Sequence, residues 1–437
     1  MPVAIAASSI LALTVTLSLT RPVIGRLRIS PAGAAIIGAI LSILFGLINS
    51  DVILRALGFL VMPILTLVSL MVITLVAEQA GLFRLLAVWI ARAAGGSGNR
   101  LFAYLFFTGT LTGTLFTNDA AVLIFTPLVF KLIEDVSEGK WPLRNKIPYY
   151  FAVLYVANLV GPLVISNPIN IIVSSLFGIG FAEYASWMML PAIVSIVTTY
   201  FGLWLCFRRW IPKTYSVPSK SVAAINRPFL VATGVILGLT LAGFFLEHVT
   251  RIPTGFVAAG GAAALVFIYH RFIGGAVAPL VRGVAWDVVV FVIGIFLVAN
   301  GLRAAGLTQY LGNVIMSLPG SLEPAPIFQT GFVTAICSSF MNNHPVADTM
   351  GMVIRDLPIS AFGERMMVFA ALIGGDLGPK MLPIGSLAAL LWFRILRDKG
   401  VTISYWQYIR IGVPVTLAAI FLALSTLGVE MVLRGPV

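Results

Sequence analysis

The chain is short of reactive side chains. Only two cysteines, Cys206 and Cys337, and three histidines, His248, His270 and His344, occur in 437 residues. Two thiols exclude a disulfide framework and a thiolate metal cage. The histidines are far apart and without HExxH spacing, so neither a metalloenzyme site nor a nucleophile with its base can be assembled from sequence, and no enzyme activity or cofactor is expected. The Gly-rich GGSGNR at 95–100 lacks the Lys-Ser/Thr of a phosphate loop and reads as a turn. Charge is scarce at 10% of residues, and acids are scarcer than bases, 16 against 28. Polar linkers are also few: RRWIPKTYSVPSKSVAAINR, 208–227, is the one sizeable polar stretch, which leaves no room for a soluble domain.

What remains is apolar. Hydrophobic residues make up 59% of the chain and the mean hydropathy is +1.03, more than one soluble core could hide. Apolar runs of about 18 residues, separated by short basic or Gly/Pro loops, read as membrane-spanning helices, because strands would alternate with period two. The fold class is therefore an all-α polytopic membrane protein. The first run, VAIAASSILALTVTLSLT, has no preceding Lys or Arg and no small-residue cleavage site, so a retained first helix is expected. Arg21, Arg26 and Arg28 follow it, which places that end in the cytoplasm and the N-terminus outside. The net charge of +12 is carried by loops on one inferred side; it fits positive-inside topology in a lipid bilayer and not a nucleic-acid face.

Internal repeats divide the chain. QAGLFRLL from Gln79 matches AAGLTQYL from Ala304, FTNDAAV from Phe116 matches FMNNHPV from Phe340, and GPLVISNP from Gly161 matches GPKMLPIG from Gly378. The pairs keep their order and nearly constant separation, which gives a first repeat at 1–207, a cytoplasmic linker at 208–228 and a second repeat at 229–437. The first half reads as spans at 3–20, 31–49 and 53–77, an apolar pair within 101–134, a broken span at 149–178 and a span at 185–207. The second reads as 229–246, 254–270 and 286–302, a pair within 327–354, a broken span at 366–393 and a last span at 405–433. If each apolar pair is a re-entrant hairpin, each half crosses an odd number of times and the halves are inverted, with about ten transmembrane helices in all. Arg84, Arg92, Arg100, Lys131, Lys140 and the linker bases then share the cytoplasmic side, so the first hairpin enters from the cytoplasm, the second from outside, and both termini lie outside.

Polar residues interrupt these apolar runs at four places. A hairpin that turns at membrane depth frees backbone groups that lipid cannot satisfy, so its tip must face protein or water. TND at 117–119, with Asn118 and Asp119, marks the first tip; MNNH at 341–344, with Asn342, Asn343 and His344, marks the second. Each broken span carries Gly and Pro at its middle: ANLVGPLVISNPIN at 157–170 contains Ser166 and Asn167, and GGDLGPKMLPIGS at 374–386 contains Asp376, Gly378, Lys380 and Ser386. Half-helix ends there direct partial charges at the midplane, and the four breaks are expected to converge on one site. Capping alone is the plainer reading of Asp119 and of the Asn pair, and it is compatible with binding. Asp376 and Lys380 have the spacing of a helical ion pair, although Gly378 and Pro379 intervene. His344 and Asp348, one turn apart, are further titratable candidates, while Cys337 reads as packing.

TNDAAVLIFTPLVF, FMNNHPV, GGDLGPKMLPIGSLAALLW and GFAEYASWMMLP at 180–191 closely resemble the arsenical-resistance efflux permeases, over nearly the entire chain. The resemblance implies a bacterial inner-membrane permease, multi-pass with periplasmic termini, that exports arsenite and antimonite driven by proton entry. It also implies, for some members, a docked soluble ATPase. Arsenous acid is a neutral triol that amides, hydroxyls and carboxylates can hydrogen-bond, so Asn118, Asp119, Ser166, Asn167, Asn342 and Asn343, with His344, Gly378 and Ser386 beside them, are expected to bind it, and Asp119, Asp376 and Lys380 to couple protons. His344-Pro345 after the Asn pair departs from the expected pattern of a small or sulfur-containing residue there. The hairpin and broken-helix pattern is shared across the wider ion-transporter superfamily, so a sodium/proton antiporter or sodium-coupled anion carrier is the alternative.

Overall fold

The computed structural model describes residues 2–25, 27–156, 159–217, 226–317 and 325–435. Helices dominate. In the first half they are α1 (Pro2–Thr20), α2 (Pro31–Leu44), α3 (Ser50–Gln79), α4 (Leu82–Ala93), α5 (Gly98–Leu115), α6 (Asn118–Ser137), α7 (Leu143–Leu154), α8 (Pro168–Leu176) and α9 (Phe181–Phe207). In the second half they are α10 (Arg227–Phe245), α11 (Glu247–Thr250), α12 (Thr254–Ile273), α13 (Ala278–Gly283), α14 (Trp286–Ala304), α15 (Leu307–Ser317), α16 (Ala325–Met341), α17 (Asn343–Arg355), α18 (Ala361–Leu377), α19 (Leu387–Asp398) and α20 (Tyr405–Arg434). Among the described residues the only sheet is the antiparallel pair β1 (Val23–Ile24) and β2 (Leu27–Arg28), with Val23 opposite Arg28.

Among the described residues seven helices, α1, α3, α9, α10, α12, α14 and α20, are long and apolar enough to cross a bilayer. Their outward faces carry large apolar side chains such as Phe267 and Leu433, 71% and 79% exposed, which only lipid would cover at low cost. The chain is a polytopic membrane protein.

Local sequence accounts for the element ends. Ser30, Asn49, Ser360 and Ser404 each accept a hydrogen bond from a backbone N–H in the first turn of the helix they precede. The expected span at 31–49 is shorter than its apolar run: Gly46, at φ +68°, ends α2, and the Ser42 carbonyl accepts from Leu47 and Ile48 N–H instead of continuing the helix. Two amphipathic helices, α4 and α15, lie where no span was expected. The buried residues of α4, Phe83, Ala87, Ile90 and Ala91, recur at helical spacing along one face, while Arg84, Trp89 and Arg92 lie off it.

The last helices of the two halves, α9 and α20, run in opposite directions. Gly202 of α9 faces Val415 of α20, while Arg434 at the far end of α20 donates to the Ser186 carbonyl near the start of α9 at 2.9 Å. Across the middle of the molecule α2 packs on α14 and α12 packs on α3, so each half inserts a helix against the other. The α5–α6 hairpin packs on α7, and the α16–α17 hairpin packs on α18. The second contact is the closer one. A Cβ on Gly374 would lie 2.1 Å from the Gly331 carbonyl oxygen, so these helices approach backbone to backbone.

Candidate functional site

Both broken spans are broken. After α7 the chain leaves helical geometry, makes a 3-10 turn at Val164–Ser166 and restarts as α8 under an Asn167 cap. Pro168 suits the first helical position because its missing N–H has no partner to lose there. After α18 two 3-10 turns, Gly378–Lys380 and Pro383–Gly385, precede α19, whose cap is Ser386, accepting from Ala389 N–H at 3.1 Å.

The breaks meet at Asp376. This aspartate sits on the last turn of α18 and is fully buried. Asn167 Nδ2 donates to its Oδ1 at 2.6 Å and Asn170 Nδ2 to its Oδ2 at 3.1 Å, so each carboxylate oxygen has an amide donor from the other half of the chain. Asn170 also reaches Ser166 Oγ at 3.5 Å. Gly161 faces Ser166 so closely that a Cβ there would overlap its hydroxyl. Removing a carboxylate from water costs several kcal/mol, about, unless such donors replace the water.

The spacing of Lys380 from Asp376 allowed a pair, with Gly378 and Pro379 intervening, and no ion pair forms between them among the described residues. The Gly378–Lys380 turn is 3-10, with three residues per turn, so a four-residue spacing no longer places side chains on one face. The buried ammonium instead lies 5.3 Å from the centre of the Tyr155 ring and has no hydrogen-bond partner among the described residues.

The second hairpin tip is a single residue wide. Asn342 sits between α16 and α17 at φ +75°, ψ 154°, a region that side chains other than glycine rarely occupy, and its Oδ1 accepts from His344 N–H at 3.2 Å. Capping at this tip is therefore present. Asn342, Asn343 and His344 are all buried, and the His344 ring meets Phe291 of α14 edge-on. Ala347, one turn beyond Asn343, lies near Gly375 and so brings α17 to the end of α18 beside Asp376. Gly385, next to Ser386, lies against the carbonyls of Ser338 and Ser339 just before the tip. At the first tip, Asn118 and Asp119 open α6 in the backbone, and their side chains lie outside the described residues.

Two cavities approach this core from opposite ends of α3 and α14. The first, about 450 Å³, is lined by Met71, Leu75 and Glu78 at the C-terminal end of α3 and by Val288 near the start of α14, and it reaches Thr117 and Pro168. The second, about 570 Å³, is lined by Arg55, Phe59, Phe296, Arg303, Met352 and Arg355 among others. Arg303 is bound bidentately by Asp356, which also accepts from Thr308.

Of the expected site residues, Asn167 donates directly to Asp376 and Ser166 is linked to it through Asn170, and Asn342, Asn343, His344 and Ser386 line the adjoining tip and break. Gly378 offers close packing and no open carbonyl: its oxygen accepts from Ser339 Oγ and Met381 N–H, at 2.9 and 3.0 Å. Asn170 was missed. Its position three residues after Asn167, on the same face of a restarting helix, was the available signal.

The family profile described as "Arsenical pump membrane protein" matches residues 6–431. The arsenical pump membrane protein of Escherichia coli K12 is 36% identical over 402 residues, covering 91% of this chain and 93% of its own. That of Yersinia enterocolitica is 35% identical over 429 residues, covering 97% and 98%. Among solved structures, the YdaH transporter of Alcanivorax borkumensis superposes with a TM-score of 0.58 at 17% identity, covering 99% of this chain and 98% of that one. MtrF of Neisseria gonorrhoeae gives 0.55 at 13%, covering 98% and 94%. At those identities the two structures speak to the fold alone.

Proposed function

This chain belongs to the arsenical pump membrane protein family, and on that footing we propose that it exports arsenite, and antimonite with it, in exchange for protons. The observation that carries the reading is the buried Asp376, held across the two helix breaks by Asn167 and Asn170 beside a hairpin tip of further amides. Amides and hydroxyls both donate and accept, which suits a neutral triol, and a site without thiolates releases its cargo readily. Protonating Asp376 would convert one of its oxygens from acceptor to donor. One Asn amide would then have to turn, which links a proton to the geometry of the first break.

The halves are read as inverted repeats, with one bundle of hairpins and broken helices moving against the remaining helices. The opposed directions of α9 and α20 support this. The positive-inside rule orients the Glu78–Arg84 cavity toward the cytoplasm of a bacterial inner membrane, and both termini toward the periplasm. The sodium-coupled alternative needs carbonyls at Gly161 and Gly378, and both already accept from protein donors, Gly161 from Tyr184 Oη at 3.3 Å.

The test is arsenite uptake into everted vesicles containing the purified protein. A neutral cargo gains nothing from voltage alone, whereas one proton brings about 2.3 kcal/mol per 100 mV. Uptake that follows an imposed proton gradient is expected. Uptake that needs sodium, or no arsenite uptake at all, would overturn the reading.

A further inference from the structure

The two cavities occupy matching places in the two halves. The repeat that pairs Gln79 with Ala304 also pairs Met71, Leu75 and Glu78 of the first cavity with Phe296, Asn300 and Arg303 of the second. The repeat that pairs Phe116 with Phe340 pairs Leu128, which lines the first, with Met352, which lines the second. The match stops one turn deeper. Thr117, Leu123 and Ile124 line the first cavity, whereas their partners Met341, Ala347 and Asp348 do not line the second. The second cavity ends on Met352 and Phe296, which pack with Ile172 in an apolar cluster.

Asp348 is thus the counterpart of a residue that is open to the first cavity. It is 1% exposed, and neither carboxyl oxygen has a hydrogen-bond partner among the described residues. His344, one turn nearer the tip on α17, is 4% exposed, and its Nδ1 likewise has no partner among them. The elements packed on α17 offer few charges to either: Arg303 and Asp287 on α14, Asp376, Glu364 and Arg365 on α18, Tyr310 on α15, Cys337 on α16 and none on α8. None of these is hydrogen-bonded or ion-paired to Asp348 among the described residues. A buried carboxyl group with no partner is costly, so function is the expected reason for keeping it.

We propose that Asp348 is the outer proton-loading site: closed off in the state seen here, it lines the second cavity in the opposite access state and takes a proton from outside there. The inference rests on the proton-exchange reading and adds the group that receives the proton first. In the opposite state the second cavity opens to the depth that the first has now, which uncovers Asp348 above Met352. The proton adds to a carboxylate oxygen, and the neutral carboxyl is carried back into burial.

Wild type, Asp348→Asn and Asp348→Glu are compared in the same everted vesicles, by gradient-driven arsenite accumulation and by arsenite exchange without a gradient. One proton at 100 mV supports roughly fiftyfold accumulation. Asp348→Asn is expected to fall to the level without a gradient while exchange persists, and Asp348→Glu to restore accumulation. Accumulation by Asp348→Asn equal to wild type would overturn the proposal. A wild type indifferent to the proton gradient would instead overturn the reading it rests on. If Asp348→Asn does not reach the membrane or loses exchange, Ala347→Cys in a chain with Cys206→Ser and Cys337→Ser decides. Its modification by an impermeant thiol reagent from the outer face is expected, and its protection from that face under every substrate condition would overturn the proposal.

Discussion

Asn342 and Asp376 solve the same difficulty by different means, since each is a polar residue buried in a largely apolar chain. Asn342 holds a backbone conformation suited to glycine and caps α17 in return. Replacing it by Gly relieves strain worth about 1–3 kcal/mol and loses a cap worth about 1 kcal/mol, whereas Ala loses the cap and keeps the strain. Thermal unfolding in detergent is expected to place Asn342→Ala below Asn342→Gly. Because the tip amide belongs to the proposed site, Asn342→Gly should fold and still lose arsenite transport; wild-type transport would remove Asn342 from that site. For Asp376, the Asn substitution keeps shape and lets the facing amides pair with an amide, so folding is expected and gradient-driven uptake is not. Asn170→Ala strips a donor from a buried carboxylate and should cost about 1–3 kcal/mol in an unfolding titration. In Asp376→Asn that penalty should shrink, and an unchanged penalty would show that Asn170 acts elsewhere.

At the scale of elements, α16 and α18 approach backbone to backbone. Any side chain at Gly374 meets the Gly331 carbonyl, and the only relief is to push the helices apart. Gly374→Val is expected to prevent stable accumulation in the membrane, whereas Gly260→Ala on α12, which meets nothing within 4 Å, should leave the amount of protein within about twofold of wild type. Comparable levels of the two by immunoblot would contradict the close approach. The break positions were legible because Gly and Pro in an apolar run have few other uses, and the tips because Asn and Asp are costly there. The helices α4 and α15 were not legible as spans, since they are short and bury only one face. Whether Lys380 pairs with Asp376 stayed open in the sequence because Gly378-Pro379 interrupts the α-helix that the spacing presumes, and the chain there forms a tighter 3-10 turn. Asn170 could be placed on Asp376 only by a contact between residues more than 200 apart in sequence, which periodicity does not contain.

For the molecule as a whole, the proposed exchange would depend on the proposed inversion, because one sequence plan used twice in opposite directions would give two access routes to one site. Leu75 and Asn300 are matched by the repeat, and each lines one cavity. If the halves were parallel copies, matched residues would open to the same side of the membrane. If they are inverted, the sides are opposite. In a chain with Cys206→Ser and Cys337→Ser, Leu75→Cys is expected to react with an impermeant thiol reagent only from the cytoplasmic face and Asn300→Cys only from the outer face. Both positions reacting from one face would refute inversion. The opposite assignment of faces would keep inversion and reverse the orientation drawn from the basic loops. Arsenite binding should then change the two reactivities in opposite senses, because a carrier that closes one route as it opens the other cannot protect or expose both together.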